Sequence, residues 1–199
     1  MKNIFKKHKI IAIDCDEVLA ASFQYFLDYF DIRKKDGKKA KFSDLKYYIF
    51  CRNDGFLGEN EEYIEKFIKL YLDDEKNLKL PPVSGALEGI KKLKKFGKKL
   101  YIITARQEFL KNYTKSWLGK YFGEVFEDII FCNHEGGGVY KDKSQICKEV
   151  GATLLIEDNL DYALECSEKG VEVILFEKPW NSWRKETNSK IFKVKGWKN

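Results

Sequence analysis

Histidine is scarce in this chain. Only His8 and His134 are present among 199 residues, so multi-histidine metal sites and Ser-His-Asp triads are nearly excluded by supply. His134, in the "NHEGGG" loop, reads as a surface residue. The five cysteines (Cys15, Cys51, Cys132, Cys147, Cys166) are scattered, odd in number and form no C-x-x-C pair. Neither a disulfide framework nor a structural zinc site is expected, and a reducing, cytoplasmic setting is. No apolar run approaches the ~20 residues that span a bilayer. The basic start "MKNIFKKHK" leads through a short apolar segment straight to Asp14, which is not the pattern of a cleaved leader. No membrane partner is expected. Zinc-finger, basic-zipper and RNA-recognition signatures are also missing.

What is present suits one soluble α/β core with a modest insertion. Hydrophobic residues make up 44% and aromatics 15%, enough to build a buried core, while 34% charged residues suit a solvated surface. The net charge of +6 comes largely from lysines in "KKDGKKAK" (34–41) and "KKLKKFGKK" (91–99). A basic balance concentrates anionic, phosphorylated substrates near the surface. The clusters themselves read as a solvated loop and a solvated helix face, so nucleic acid is not the favoured partner.

Five short apolar runs lack in-out alternation, as strands buried on both faces do. They are "IIAID" (10–14), "KLYIIT" (99–104), "DIIFC" (128–132), "TLLIED" (153–158) and "VEVILF" (171–176). Helical patterns separate the later four, and strands alternating with helices predict a Rossmann-like parallel sheet flanked by helices. The stretch after the first strand breaks that rhythm. Phe23, Phe26, Leu27 and Phe30 make one helical face; Tyr63, Ile64, Phe67, Ile68 and Tyr71 make another. Residues 20–79 are therefore expected to form a small helical cap, inserted into a core of residues 1–19 and 80–199.

The run "IIAIDCDEVLA" (10–20) ends on Asp14, Asp16 and Glu17, although unpaired charge beside a buried strand is costly. In open α/β sheets ligands sit beyond the carboxyl ends of the strands, and Asp14, Thr104 and the Glu157–Asp158 pair each fall at such an end. "DCDE" alone is weak, since acidic turns are common. It lacks the D-x-[DN]-x-[DN]-G progression of a calcium loop. The order of acids, threonine and lysine differs from that of receiver domains. "GGGVYKDKS" (136–144) ends like a phosphate-binding loop but has Asp142 where that loop has glycine.

The chain order D-x-D-x-V, Thr, Lys, acidic pair resembles the haloacid dehalogenase superfamily of phosphatases. "DCDEV", "IITAR", Lys143 and "LLIEDN" match its four motifs, and the match covers residues 9–19 and 81–181. The helical insertion, "TAR", "IEDN" and "LFEKPWN" (175–181) are most similar to the 5′(3′)-deoxyribonucleotidase-like branch. This resemblance implies a Mg²⁺-dependent phosphomonoesterase with a small phosphate ester, a nucleoside monophosphate at best guess, as substrate. It implies Asp14 as nucleophile and Asp16 as acid and base. Thr104, the Ala105 amide and Lys143 would bind phosphate. The Asp14 carboxylate, the Asp16 carbonyl and the Asp158 carboxylate would bind the metal. Lys141 competes with Lys143 for its role, and Arg106 could be either a phosphate contact or a surface ion pair. Glu17 and Glu157 depart from the family's usual residues without removing a required group. Cap aromatics such as Phe23, Tyr48 and Phe50 could stack a base, although each reads first as cap core. Two other functions stay open: a phosphatase for nucleic-acid ends, and a silent phosphate-binding regulatory protein on the same fold.

Overall fold

All five apolar runs form strands in the computed structural model, which describes residues 2–56, 58–76, 78–134, 138–186 and 188–198. Glu135, Gly136 and Gly137 of the "NHEGGG" loop lie outside the described residues. The strands are β1 (Ile10–Ile13), β2 (Lys99–Thr104), β3 (Asp128–Phe131), β4 (Leu154–Glu157) and β5 (Glu172–Phe176), joined by a sixth, β6 (Ile191–Val194). Every pairing is parallel, and the spatial order is β3-β2-β1-β4-β5-β6. The helices are α1 (Lys2–Lys7), α2 (Ser22–Tyr29), α3 (Asn60–Asp74), α4 (Ala86–Lys95), α5 (Lys111–Phe122), α6 (Lys143–Glu149), α7 (Leu160–Glu168) and α8 (Pro179–Ser182). No described helix is long and apolar enough to cross a membrane.

No apolar run in the sequence marks β6. Its "IFKV" places Phe192 and Lys193 in solvent, and as an edge strand paired only with β5 it carries no long apolar run. The central strands are different. Ile11, Ala12 and Ile13 are fully buried, because helices cover both faces of the sheet. Strand order reverses between β1 and β4, and this switch point opens a crevice at their carboxyl ends.

Among the described residues between β1 and β2 no further strand occurs. Phe23, Phe26 and Leu27 of α2 and Tyr63, Leu70 and Tyr71 of α3 are buried. Phe26 stacks on Phe67 at 4.0 Å between centroids. These rings belong to the same apolar cluster as Ile11 and Ile13 of the sheet.

Asp74, at the end of α3, fixes where the chain rejoins the core. Its buried carboxylate accepts from the amides of Lys79 at 2.8 Å and Leu80 at 3.1 Å, and from the Tyr113 hydroxyl of α5 at 3.0 Å. Removing the acceptor leaves buried donors unsatisfied, which costs more than a hydrogen bond nets. Asp74→Ala is expected to lose at least ~1–3 kcal/mol of stability, read as a lowered urea midpoint; an unchanged midpoint would contradict this anchoring role.

Candidate active site

Register brings the acidic residues together. Ile13 pairs with Ile102 of β2 on one side and Ile156 of β4 on the other, and the Asp14 amide donates to the Ile156 carbonyl at 2.9 Å. Asp14 therefore leaves β1 beside the point where Glu157 and Asp158 leave β4. Lys143 comes from a different element. Asp142 caps α6, accepting from the amides of Ser144 and Gln145, so the residue that departs from a phosphate-loop pattern is the one that starts this helix. Lys143 is then the first helical residue, and it is fully buried.

The Lys143 ammonium donates to Asp14 Oδ1 at 2.6 Å and to Glu157 Oε2 at 2.8 Å. Burial disfavours that charge, but the two carboxylates outweigh it and hold the lysine well above its ordinary value. Burial, then the Glu157 charge, pushes Asp14 the other way, up to about 7 despite Lys143. Asp158 is raised well above the usual carboxylate range by burial and by Glu157 and Asp14.

Asp14, Glu157 and Asp158 each offer an oxygen within 4.8 Å of the others. Three carboxylates against one ammonium leave two negative charges (−3 + 1) when all are ionised. An all-oxygen donor set with that excess suits a hard divalent cation, so the residues fit Mg²⁺. Glu157 is already engaged by Lys143 and by the amides of Asp158 and Asn159. That would leave Asp14 and Asp158 to offer carboxylate oxygens to such an ion.

The second aspartate is differently placed. Asp16 lies in a fork from Arg106, with Nε 2.8 Å from Oδ2 and Nη2 2.7 Å from Oδ1. Tyr71 of α3 donates to it at 2.9 Å, and Ser22 of α2 also donates. Burial would raise its pKa, but Arg106 with these hydrogen bonds overrides that and holds it below the ordinary value. Arg106 itself stacks over the Tyr71 ring at 4.3 Å. It is 4% exposed, so the surface ion pair considered for it is instead a buried one. Glu17 turns away from Asp14. At φ 59° it sits in a tight turn and accepts from the Phe23 amide at 2.7 Å and Lys178 at 3.1 Å.

Thr104 ends β2 with its hydroxyl buried, accepting from the Arg106 amide at 3.3 Å. Ala105 lines a cleft of about 110 Å³ together with Asp16, Phe23, Tyr48, Phe67 and Tyr71. Lys141 is not in the charge cluster; its backbone bonds Cys132 and His134. His134 is half-buried rather than a surface residue, stacked on Tyr140 at 4.6 Å. Sequence reasoning missed Ser22, Tyr71, Trp180 and Asn181 as site neighbours. Only "LFEKPWN" marked the last two, without a role.

The chain is similar to a nucleotidase of Clostridium acetobutylicum, with 31% identity over 193 residues, 94% of this chain and 88% of that protein. No family model matches it. Among solved structures, a hydrolase described as a haloacid dehalogenase-like family protein from Streptococcus pneumoniae superposes with a TM-score of 0.58 at 12% identity, covering 94% of each chain. CbbY from Rhodobacter sphaeroides, solved in complex with phosphate, gives 0.54 at 15% identity, covering 96% of this chain and 95% of that one. At these identities the structural likeness is one of fold.

The charge cluster makes metal-free stability depend on pH. Folded, Asp14 binds its proton more tightly (about 7) than at the ordinary carboxyl value of 3.8. Its contribution to stability is thus full below about 4 and is lost as pH rises towards 7. In chelator, wild type is expected to lose stability against Asp14→Asn across that window and to melt below it at pH 7.5. A difference in melting temperature that does not change with pH would refute the buried excess charge.

Proposed function

The chain belongs to the haloacid dehalogenase superfamily, in its nucleotidase-like branch, and from this premise we propose a Mg²⁺-dependent phosphomonoesterase that works through an aspartyl phosphate on nucleoside monophosphates. Phosphatase-type hydrolysis is the coarse activity that membership carries. The observation that supports the finer reading is the buried ammonium of Lys143 between Asp14 and Glu157, with Asp158 in the same cluster. Such an arrangement suits a nucleophile that must remain anionic while an anionic ester approaches.

In the proposed reaction an Asp14 oxygen attacks phosphorus and the ester P–O bond breaks. The leaving oxygen takes a proton from Asp16. Water then gives its proton to Asp16 and attacks the aspartyl phosphate, releasing phosphate and restoring Asp14. The Asp14 carboxylate, the Asp16 carbonyl and the Asp158 carboxylate would hold Mg²⁺, which when bound would supply positive charge for the transferring group. Lys143 offsets the remaining charge, and Thr104 with the Ala105 amide orients phosphoryl oxygens. Asp16 has to exchange Arg106 for the ester oxygen in the first step. In the second it acts from the deprotonated form that Arg106 favours.

Residues 20–79 are proposed as the cap. The aromatic cleft beside Asp16 supports a planar leaving group, and the scattered cysteines support a cytoplasmic setting. The retained Asp14, Asp16, Thr104, Lys143 and Asp158 count against a silent phosphate-binding protein.

A panel of phosphorylated metabolites with 5′- and 3′-nucleotides tests the substrate. Nucleoside monophosphates are expected to be hydrolysed fastest, and chelation is expected to abolish turnover of every ester. Preference for an aliphatic phosphate would refute the nucleotide assignment. Asp16→Asn tests the covalent step. It keeps the backbone carbonyl and loses the acid/base group, typically worth ~10²–10⁴-fold. With p-nitrophenyl phosphate, whose leaving group needs little protonation, a burst of nitrophenolate is expected, followed by a stalled phosphoenzyme. Borohydride reduction and mass spectrometry should place the label on Asp14. Absence of both burst and label would mean direct attack by water.

A further inference from the structure

The segment "KPWN" (178–181) touches Asp158, the turn after β1 and the aromatic rings of residues 20–79 at once. Pro179 opens α8 and favours its first turn by fixing φ. The Trp180 indole N–H, itself buried, lies 3.1 Å from Asp158 Oδ2 and 3.2 Å from the Asp158 carbonyl. Asn181 is fully buried and ties the same residue from the backbone side. Its amide donates to the Asp158 carbonyl at 2.6 Å and to the Phe176 carbonyl at 2.8 Å, and its oxygen accepts from the Lys178 amide at 3.1 Å. Lys178 reaches across to Glu17 at 3.1 Å. The indole ring packs against Phe23 of α2 at 4.9 Å and Phe42 at 5.4 Å.

We propose that Trp180 is a positioning residue for the metal ligand Asp158, its indole N–H fixing one carboxylate oxygen so that the other is presented to Mg²⁺. This rests on the Mg²⁺ reading above and adds to it a residue that does not touch the metal. A carboxylate free to rotate loses orientational entropy when it coordinates, and a donor outside the coordination shell removes that cost in advance. The indole suits the task because it is a donor only, so it cannot compete for the cation. Because the ring packs on Phe23, Phe42 and Tyr48, the packing of residues 20–79 also sets the orientation of the carboxylate. Asn181 fixes the backbone of Asp158 and Trp180 its side chain. Neither alone defines the position of the coordinating oxygen.

Calorimetric titration of the 199-residue chain with Mg²⁺, without substrate, tests the assignment. Trp180→Phe keeps an aromatic ring and deletes the N–H. Its Mg²⁺ dissociation constant is expected to rise on the order of 10-fold, the lower end of the usual cost of losing such a partner. Trp183→Phe is the control. Trp183 packs on Tyr47 and donates to the Lys46 carbonyl, not to Asp158, and the Mg²⁺ affinity of this variant is expected to stay at the wild-type value. If Trp180→Phe does not fold, benzothienylalanine at position 180 keeps the shape of the side chain and replaces only the N–H by sulfur; the same weakening is expected. Equal affinities for wild type and either position-180 variant would overturn the positioning role while leaving the Mg²⁺ reading intact. Equal weakening in Trp183→Phe would also overturn it, since general packing would then explain the loss. A wild-type chain that binds no Mg²⁺ would overturn both readings.

Discussion

Three carboxylates and one ammonium share the buried crevice between β1 and β4, and the cost of like charge away from water constrains everything built around them. Lys143 can satisfy two of the acids but cannot neutralise three. The chain therefore carries a local charge deficit on a rigid frame, held by strands whose every residue near the crevice is buried. Elsewhere around the site the sign problem is solved pairwise. Arg106 answers Asp16, and Lys178 answers Glu17. The unbalanced place is the one where Asp14 and Asp158 meet, which gives the divalent-cation reading its physical content.

The core was legible because its grammar is local. Apolar runs without alternation mark strands covered on both faces, and Asp14, Thr104 and Asp158 sit where those runs end. Lys143 could be chosen over Lys141 because it opens a helix, and the structure buries it while Lys141 stays outside the cluster. The partners were not legible for a different reason. Arg106 reaches Asp16 across 90 positions, and Trp180 reaches Asp158 across 22. No periodicity encodes such pairings. β6 escaped notice because an edge strand with exposed Phe192 and Lys193 has no apolar run to betray it.

The region between β1 and Pro81 carries two kinds of information. Most of its aromatic rings fill space: Phe26, Phe50 and Phe67 interlock and merge with the sheet's own cluster. A few have polar business at the site. Tyr71 donates to Asp16 while supporting Arg106 with its ring face, and Phe23 lies against Trp180. The rings that line the cleft beside Asp16 and those that support Asp16, Arg106 and Trp180 are thus drawn from the same helices, so exchanging one set alters the other.

The strand order has a consequence during synthesis. β1 is the first strand to leave the ribosome, yet it lies at the centre of the sheet and pairs only with β2 and β4. At about 5–20 residues per second, the wait until residue 104 has been added is on the order of ten seconds. Throughout that time the Asp14 turn has neither Lys143 nor Glu157, and "IIAI" has no neighbouring strand. The nascent chain must therefore keep its most apolar strand from wrong partners well before its charges can be paired. Residues 20–79, emerging next and rich in rings that join Ile11 and Ile13 in one apolar cluster, are the first apolar surface available to shelter it.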